Sequence, residues 1–176
     1  MKEYFLNTKD LRESAGMLRA GDKVYLSGTV YTARDAAHKR IFELINSNSP
    51  LPFNLTDAVI YYAGPPPTPD GYAIGSCGPT TSGRMDPYAA TLYDMGILAT
   101  IGKGVRNNSV CEAIQRNKAL YLCAIGGAGA LAAKSITECT VIAFDDLGCE
   151  SVKKLEFSNF PLVVAVDTHG NTLFAV

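Results

Sequence analysis

The stretch Gly78-Pro79-Thr80-Thr81-Ser82-Gly83-Arg84-Met85-Asp86-Pro87 packs hydroxyls, glycines and a guanidinium into a few positions. Glycine lets backbone approach a ligand closely, and arginine offers a planar fork that meets a carboxylate through two parallel hydrogen bonds. Asp86-Pro87 reads as a helix start, with Asp86 as the capping residue and proline at the first helical position. Leu92 and Met95 follow at helical spacing. Free N–H groups at a helix start favour an anion, so the chemistry of this stretch is anion binding. The other reading is a glycine-rich turn joining a strand to a helix.

Competing chemistries are weaker. Gly78 to Gly83 has P-loop spacing, but Arg84-Met85 stand where a lysine and a magnesium-binding hydroxyl belong, which disfavours nucleotide hydrolysis. Gly127-Ala128-Gly129-Ala130-Leu131-Ala132, with Asp145 at the end of the next strand, is a loose dinucleotide fingerprint. It comes too late in the chain for a second mononucleotide half, and close packing through small residues is the simpler account. His38 and His169 are the only histidines, so no Ser-His-Asp or Cys-His arrangement can be built and acyl transfer is disfavoured. His38 lies one turn after Arg34, placed to orient it or simply to pack, and His169 reads as a turn residue.

The elements that would position these groups follow from periodicity. Tyr4–Leu6 reads as a short strand, and Asn7 or Thr8 then caps a helix bearing Leu11, Ala15 and Leu18, ended by Gly21. Residues 23–31 alternate as a strand. Thr32-Ala33-Arg34-Asp35 resembles a capping box ahead of a helix lined by Ala37, Ile41, Leu44 and Ile45. Ala58–Ala63 is a short apolar strand, and Pro65-Pro66-Pro67 begins an exposed connector. Residues 97–101, 119–125 and 140–144 read as further strands. Ser109–Glu112 reads as a capping box, and Leu155–Val176 as a hairpin around Thr168-His169-Gly170-Asn171.

Recurring strand–loop–helix units predict an α/β fold with a parallel or mixed sheet and flanking helices, in which ligands sit beyond the C-terminal ends of the strands. Those ends carry Arg34, the hydroxyl loop with Arg84, and Gly102-Lys103-Gly104 followed by Arg106. Three junctions each deliver a cation, which suits a small anion with two or more carboxylates. Solvated surface is the alternative for Arg34 and Arg106.

The chain has 176 residues, enough for one domain over 1–176, and a formal net charge of -1, which excludes the broad basic field of nucleic-acid binders. Five cysteines without a C-x-x-C pair argue against a disulfide framework, and against a metal or iron–sulfur site made by this chain alone. No segment reads as a signal peptide or a membrane span, so a cytoplasmic protein is expected.

The string Gly78-Pro79-Thr80-Thr81-Ser82-Gly83-Arg84-Met85-Asp86 resembles the signature of the β-type region of iron–sulfur hydro-lyases, the class I fumarate hydratases and L-tartrate dehydratases. Gly28-Thr29-Val30-Tyr31-Thr32-Ala33-Arg34-Asp35-Ala36-Ala37-His38, Tyr61-Tyr62-Ala63-Gly64-Pro65, Ile101-Gly102-Lys103-Gly104 and Gly126-Gly127-Ala128-Gly129 support it in the same order. The resemblance implies a swivelling β/β/α domain, with a mixed sheet and flanking helices, that acts on a dicarboxylate by reversible addition of water. It further implies an α-type subunit carrying a four-iron four-sulfur cluster, an active site shared between the two, and a homodimer or α2β2-type assembly. Carried over residue by residue, Thr80 is the proton-abstracting base, and Arg34, Thr81, Arg84 and Lys103 hold substrate. Cys77 departs from the pattern, as a bystander or an oxidisable thiol. An L-tartrate dehydratase β subunit and a non-catalytic carboxylate- or nucleotide-binding module are the alternative functions.

Overall fold

Strand β1 (Glu3–Asn7) lies parallel to the first half of β2 (Lys23–Thr32), whose side chains are alternately buried and half-buried along its whole length. That alternation is the mark of a strand with one face on a core. The structure, a computed structural model, describes residues 1–124 and 127–174. The end of β2 pairs in parallel with β3 (Val59–Tyr61), β3 with β4 (Ala99–Gly102), and β4 with β5 (Leu120–Cys123). β6 (Ile136–Ala143) and β7 (Val152–Val166) complete seven strands among the described residues. β7 runs antiparallel to β5, β6 and β2, so β2–β3–β4–β5–β7 closes into a ring.

Every strand of the ring sends side chains into one apolar cluster, among them Leu26, Tyr61, Ile101, Leu122 and Phe160. A second cluster lies on the opposite face, where Ile60, Tyr62 and Tyr121 meet α2 (Asp35–Asn46), α3 (Asp86–Asp94) and α4 (Asn108–Arg116). To stay in chain order, the short helices are α1 (Leu11–Ser14) and α5 (Gly129–Ala133). Burial on both faces explains why β3, β4 and β5 read as unbroken apolar runs. Each fully buried large aliphatic side chain contributes roughly 1.5–3 kcal/mol.

Several local expectations are corrected. Neither Asn7 nor Thr8 caps α1; Asp10 precedes it, and the helix tightens to a 3₁₀ turn over Ala15–Met17. Thr32 does not cap α2, because its Oγ1 is taken up by Ser151 and Lys153 across the sheet, and the Ala36 N–H donates instead to Glu150 Oε2 at 2.9 Å. Asp86 is not a cap: a 3₁₀ turn over Ser82–Met85 runs straight into α3 with Asp86 itself helical at φ -55°, ψ -35°. Asn107, not Ser109, caps α4, its Oδ1 accepting the Val110 N–H at 2.9 Å.

Of the hairpin expected over residues 155–176, the first limb belongs to one long strand, Val152–Val166. Asn159, at φ 49°, forms a bulge opposite Ser27, and the strand runs on through it. The turn Thr168–Asn171 does form on the Asp167 carboxylate, but the return limb shrinks to one bridge, Val166 to Thr172. The strand expected over residues 119–125 ends at Cys123, and Ile125, Gly126, Ala175 and Val176 lie outside the described residues.

Arg106, expected either at the anion site or at the surface, is inside the protein. Its Nε donates to Asp86 Oδ1 at 2.7 Å, and its guanidinium stands 5.3 Å and 5.1 Å from the ring centroids of Tyr62 and Tyr121. Arg106→Met strands the Asp86 carboxylate and is expected to cost about 3–5 kcal/mol. Urea unfolding of the full chain measures this, and a loss below about 1 kcal/mol would show that the pair is not what holds these elements.

Candidate active site

The parallel order of β2, β3 and β4 puts their C-terminal ends side by side, and all five expected site residues stand at that rim. The hydroxyl loop crosses it almost as an added strand. The Thr80 N–H donates to the Tyr62 carbonyl at 2.6 Å, the Lys103 N–H to the Thr80 carbonyl at 3.3 Å, and the Ser82 N–H to the Lys103 carbonyl at 2.9 Å. Thr81 and Lys103 form a parallel bridge. Gly102 permits this approach, because a Cβ there would overlap Ser82 Oγ and stand 3.0 Å from the Tyr62 ring. Beneath the loop, the Tyr121 hydroxyl sits between Ser82 Oγ at 2.8 Å and the Gly104 carbonyl at 2.7 Å.

The two arginines meet on Asp35. Arg84 grips its carboxylate with a fork, Nε to Oδ1 at 3.1 Å and Nη2 to Oδ2 at 2.8 Å, while Arg34 Nη2 lies 3.8 Å from the same Oδ2. Arg34 also pairs with Glu150 Oε1 at 3.4 Å. The Arg84 side chain is 52% exposed, so its pair with Asp35 is solvent-screened and open to exchange with another carboxylate. Among the described residues, no carboxylate lies within ion-pairing distance of Lys103. Thr80 is half-buried and Thr81 exposed. The rim therefore carries two guanidiniums that meet on the Asp35 carboxylate, with Thr80, Thr81 and Lys103 joined through their backbones beside them.

Asp35 and Glu150 were not anticipated as site residues. Asp35 follows Arg34 directly, and an acid beside an expected anion-binding arginine was the available signal. Glu150 lies 114 residues beyond the Ala36 N–H it accepts, and nothing local announces it. Cys77 packs in the core, where burial pushes its thiol up to about 12, which makes a bystander of it rather than an oxidisable thiol. Gly127–Ala132 is no dinucleotide cradle: α5 has five residues, and Gly129 packs backbone to backbone on Gly78. Among the described residues, no three His, Cys, Asp or Glu side chains gather to hold a metal ion. No helix of the described residues is long and apolar enough to cross a membrane.

With this geometry in place, the comparisons with known proteins are decisive on kinship. The family model described as Fumarase C-terminus matches residues 1–176. The chain belongs to this family. Fumarate hydratase 2 of Leishmania major is 42% identical over 167 residues, which cover 94% of this chain and 29% of that protein. This member of the Fumarase C-terminus family thus spans under a third of that relative's length. The putative L(+)-tartrate dehydratase subunit beta of Methanocaldococcus jannaschii is 40% identical over 178 residues, covering 98% of this chain and 91% of that protein. The L(+)-tartrate dehydratase subunit beta of Escherichia coli K12 is 35% identical, covering 97% and 84%.

In this family member His38, expected to orient Arg34 or simply to pack, is fully buried and meets only the main chain of Arg34. Its Nδ1–H donates to the Arg34 carbonyl at 2.8 Å, between the rings of Tyr62 and Tyr88, and its Nε2 is buried without a partner. Burial lowers its pKa from 6.5 to about 4. Between those values the unfolded chain binds a proton that the folded one refuses. The contribution is therefore complete above about pH 6.5 and lost as pH falls to about 4. Urea midpoints across that window are expected to fall for the wild type and to stay flatter for His38→Gln, and parallel declines would refute the assignment.

Proposed function

We propose that this chain is the β subunit of a class I fumarate hydratase-type hydro-lyase, a single β-type domain over residues 1–176. It acts in the cytoplasm with an α subunit that carries a four-iron four-sulfur cluster. The reaction is the reversible hydration of fumarate to malate. The observation that carries this reading is the meeting of Arg34 and Arg84 on one carboxylate oxygen, that of Asp35, at the rim where Lys103 and the two threonines stand. Two guanidiniums at one carboxylate position are a built recognition element for a carboxylate. Membership of the Fumarase C-terminus family supports the hydro-lyase chemistry.

In the direction of dehydration, Thr80 as its alkoxide takes the proton from the carbon beside a carboxylate and becomes the hydroxyl, the electron pair left on that carbon forms the double bond, and hydroxide leaves the neighbouring carbon. A threonine hydroxyl is a weak base, and nearby positive charge is what lowers the cost of its alkoxide; Lys103 shares the backbone ladder with Thr80. Arg34, Arg84, Lys103 and Thr81 hold the carboxylates so that this proton faces Thr80. We assign protonation of the departing hydroxide to the α subunit, in a homodimeric or α2β2-type assembly.

Tartrate dehydration is the second reading, favoured by the near-complete coverage of two relatives named as tartrate dehydratase β subunits. Co-expression with an α-type partner under anaerobic conditions, followed by assay of fumarate and tartrate, tests both. Turnover of neither overturns the substrate class. In the active pair, Arg84→Met is expected to raise KM about 10- to 100-fold, the worth of a lost charge-assisted contact. Thr80→Val is expected to lower kcat about 10²- to 10⁴-fold, the usual weight of a positioned base. Unchanged kinetics would remove either residue from the site. Tight binding of a nucleotide by the isolated chain, seen by calorimetry, would favour the non-catalytic module instead.

A further inference from the structure

Arg34 cannot aim its own side chain. It precedes the first residue of α2 with an extended backbone, φ -118° and ψ -162°, and its buried Nε has no partner. On one side Gly64 leaves room for it, since a Cβ there would stand 2.9 Å from both Cδ and Nη1. On the other stands Glu150, whose two oxygens are divided: Oε1 faces Arg34 Nη2 at 3.4 Å, and Oε2 accepts the Ala36 N–H at 2.9 Å. One carboxylate thus caps the helix that begins after Arg34 and sets the direction of the Arg34 fork.

Glu150 in turn depends on an irregular turn. The segment Asp145–Glu150 follows Phe144 at φ 56° and contains Gly148 at φ 58°, ψ -115°. A cavity of about 210 Å³, bordered by Pro65–Thr68, Ile74 and Cys149, lies along it, so packing does not clamp the turn from that side. What gathers it is the ammonium of Lys153. Its Nζ lies 3.1 Å from the Gly148 carbonyl, 3.2 Å from that of Cys149, 3.4 Å from that of Ser151 and 2.7 Å from Ser151 Oγ. Thr32, two residues before Arg34, locks the same turn to β2: its Oγ1 donates to the Ser151 carbonyl at 3.3 Å and accepts the Lys153 N–H at 3.0 Å.

We propose that the Gly148–Lys153 turn is the positioning device for Arg34, with Lys153 holding the turn and Glu150 transmitting its position to the guanidinium. Neither residue touches substrate. Both act on the orientation of a carboxylate-binding arginine, so they govern dicarboxylate affinity more than the proton transfer at Thr80. Burial lowers the pKa of Lys153, while Asp145, Cys149, Cys139 from β6 and Cys77 raise it. Loss of the proton at alkaline pH takes one donor from this carbonyl set and loosens Arg34.

The inference rests on the substrate-binding role proposed for Arg34, and its test has one arm that does not. In the isolated full chain, the Arg34 Nε–H resonance, identified by its loss in Arg34→Lys, reports the side chain directly. Glu150→Gln keeps an oxygen for Ala36 and removes the charge; Lys153→Met removes the ammonium. Both are expected to shift or broaden that resonance while the backbone amide spectrum elsewhere stays native. In the pair reconstituted with an α-type partner, Glu150→Gln is expected to raise KM about tenfold with kcat within about twofold, the pattern of lost binding rather than lost chemistry. The wild-type KM is expected to climb at alkaline pH, and that climb is expected to vanish in Lys153→Met. An unmoved Arg34 resonance in Glu150→Gln overturns the proposal, even if Lys153→Met fails to fold. A moved resonance in a pair that turns over neither dicarboxylate upholds the positioning and overturns the hydro-lyase reading.

Discussion

A charge buried under the loop, rather than any group on the rim, is what the site stands on. The Arg106 side chain is fully buried, paired with Asp86 and held between Tyr62 and Tyr121. Each partner reaches the rim in one step. Tyr62 offers the carbonyl that fixes Thr80, Tyr121 the hydroxyl that fixes Ser82, and Asp86 opens α3 two residues after Arg84. A guanidinium removed from water is costly unless its bonds are met, and here Asp86, Tyr62 and Thr100 meet most of them. The geometry of the loop is therefore set from below by a cation that never meets a ligand.

The rim itself combines opposing charges without cancelling them. Asp35 sits between the two arginines, and Glu150 stands behind one of them, while Lys103 brings its charge without an acidic partner among the described residues. Under the proposed function, these resident carboxylates hold the guanidiniums in place and compete with a dicarboxylate for them. The exposure of the Arg84–Asp35 pair keeps that competition mild, and the Arg34–Glu150 contact, at 3.4 Å, is the more buried of the two.

What could be read from residues alone divides along range. The alternation of β2, the apolar runs of β3 to β5 and the placement of Arg34, Thr80, Thr81, Arg84 and Lys103 at strand ends are properties of short windows, and those windows carried them. Helix starts were misassigned wherever the true partner lay far along the chain: Thr32 turned to Ser151 and Lys153, Asp86 to Arg106, and the first turn of α2 took its acceptor from Glu150. Arg106 reads as surface because a charge after a glycine-rich loop usually is, and distant partners, Asp86, Tyr62, Thr100 and Tyr121, make its burial tolerable. The 155–176 segment misled because the turn at Thr168–Asn171 forms on the Asp167 carboxylate, yet only Thr172 returns to pair with the strand.

The pairing of β2 with β7 also carries a consequence for the order in which the molecule can be made. Lys23 faces Val163, so the ring has a gap down one side until the last of its strands has left the ribosome. Until then, β2 presents an unpaired edge, and the inner apolar cluster lacks Leu155, Phe157, Phe160, Leu162 and Val164. Such late, long-range closure is slow and leaves intermediates open to wrong partners. A chain of this design is most vulnerable while still attached to the machinery that synthesises it.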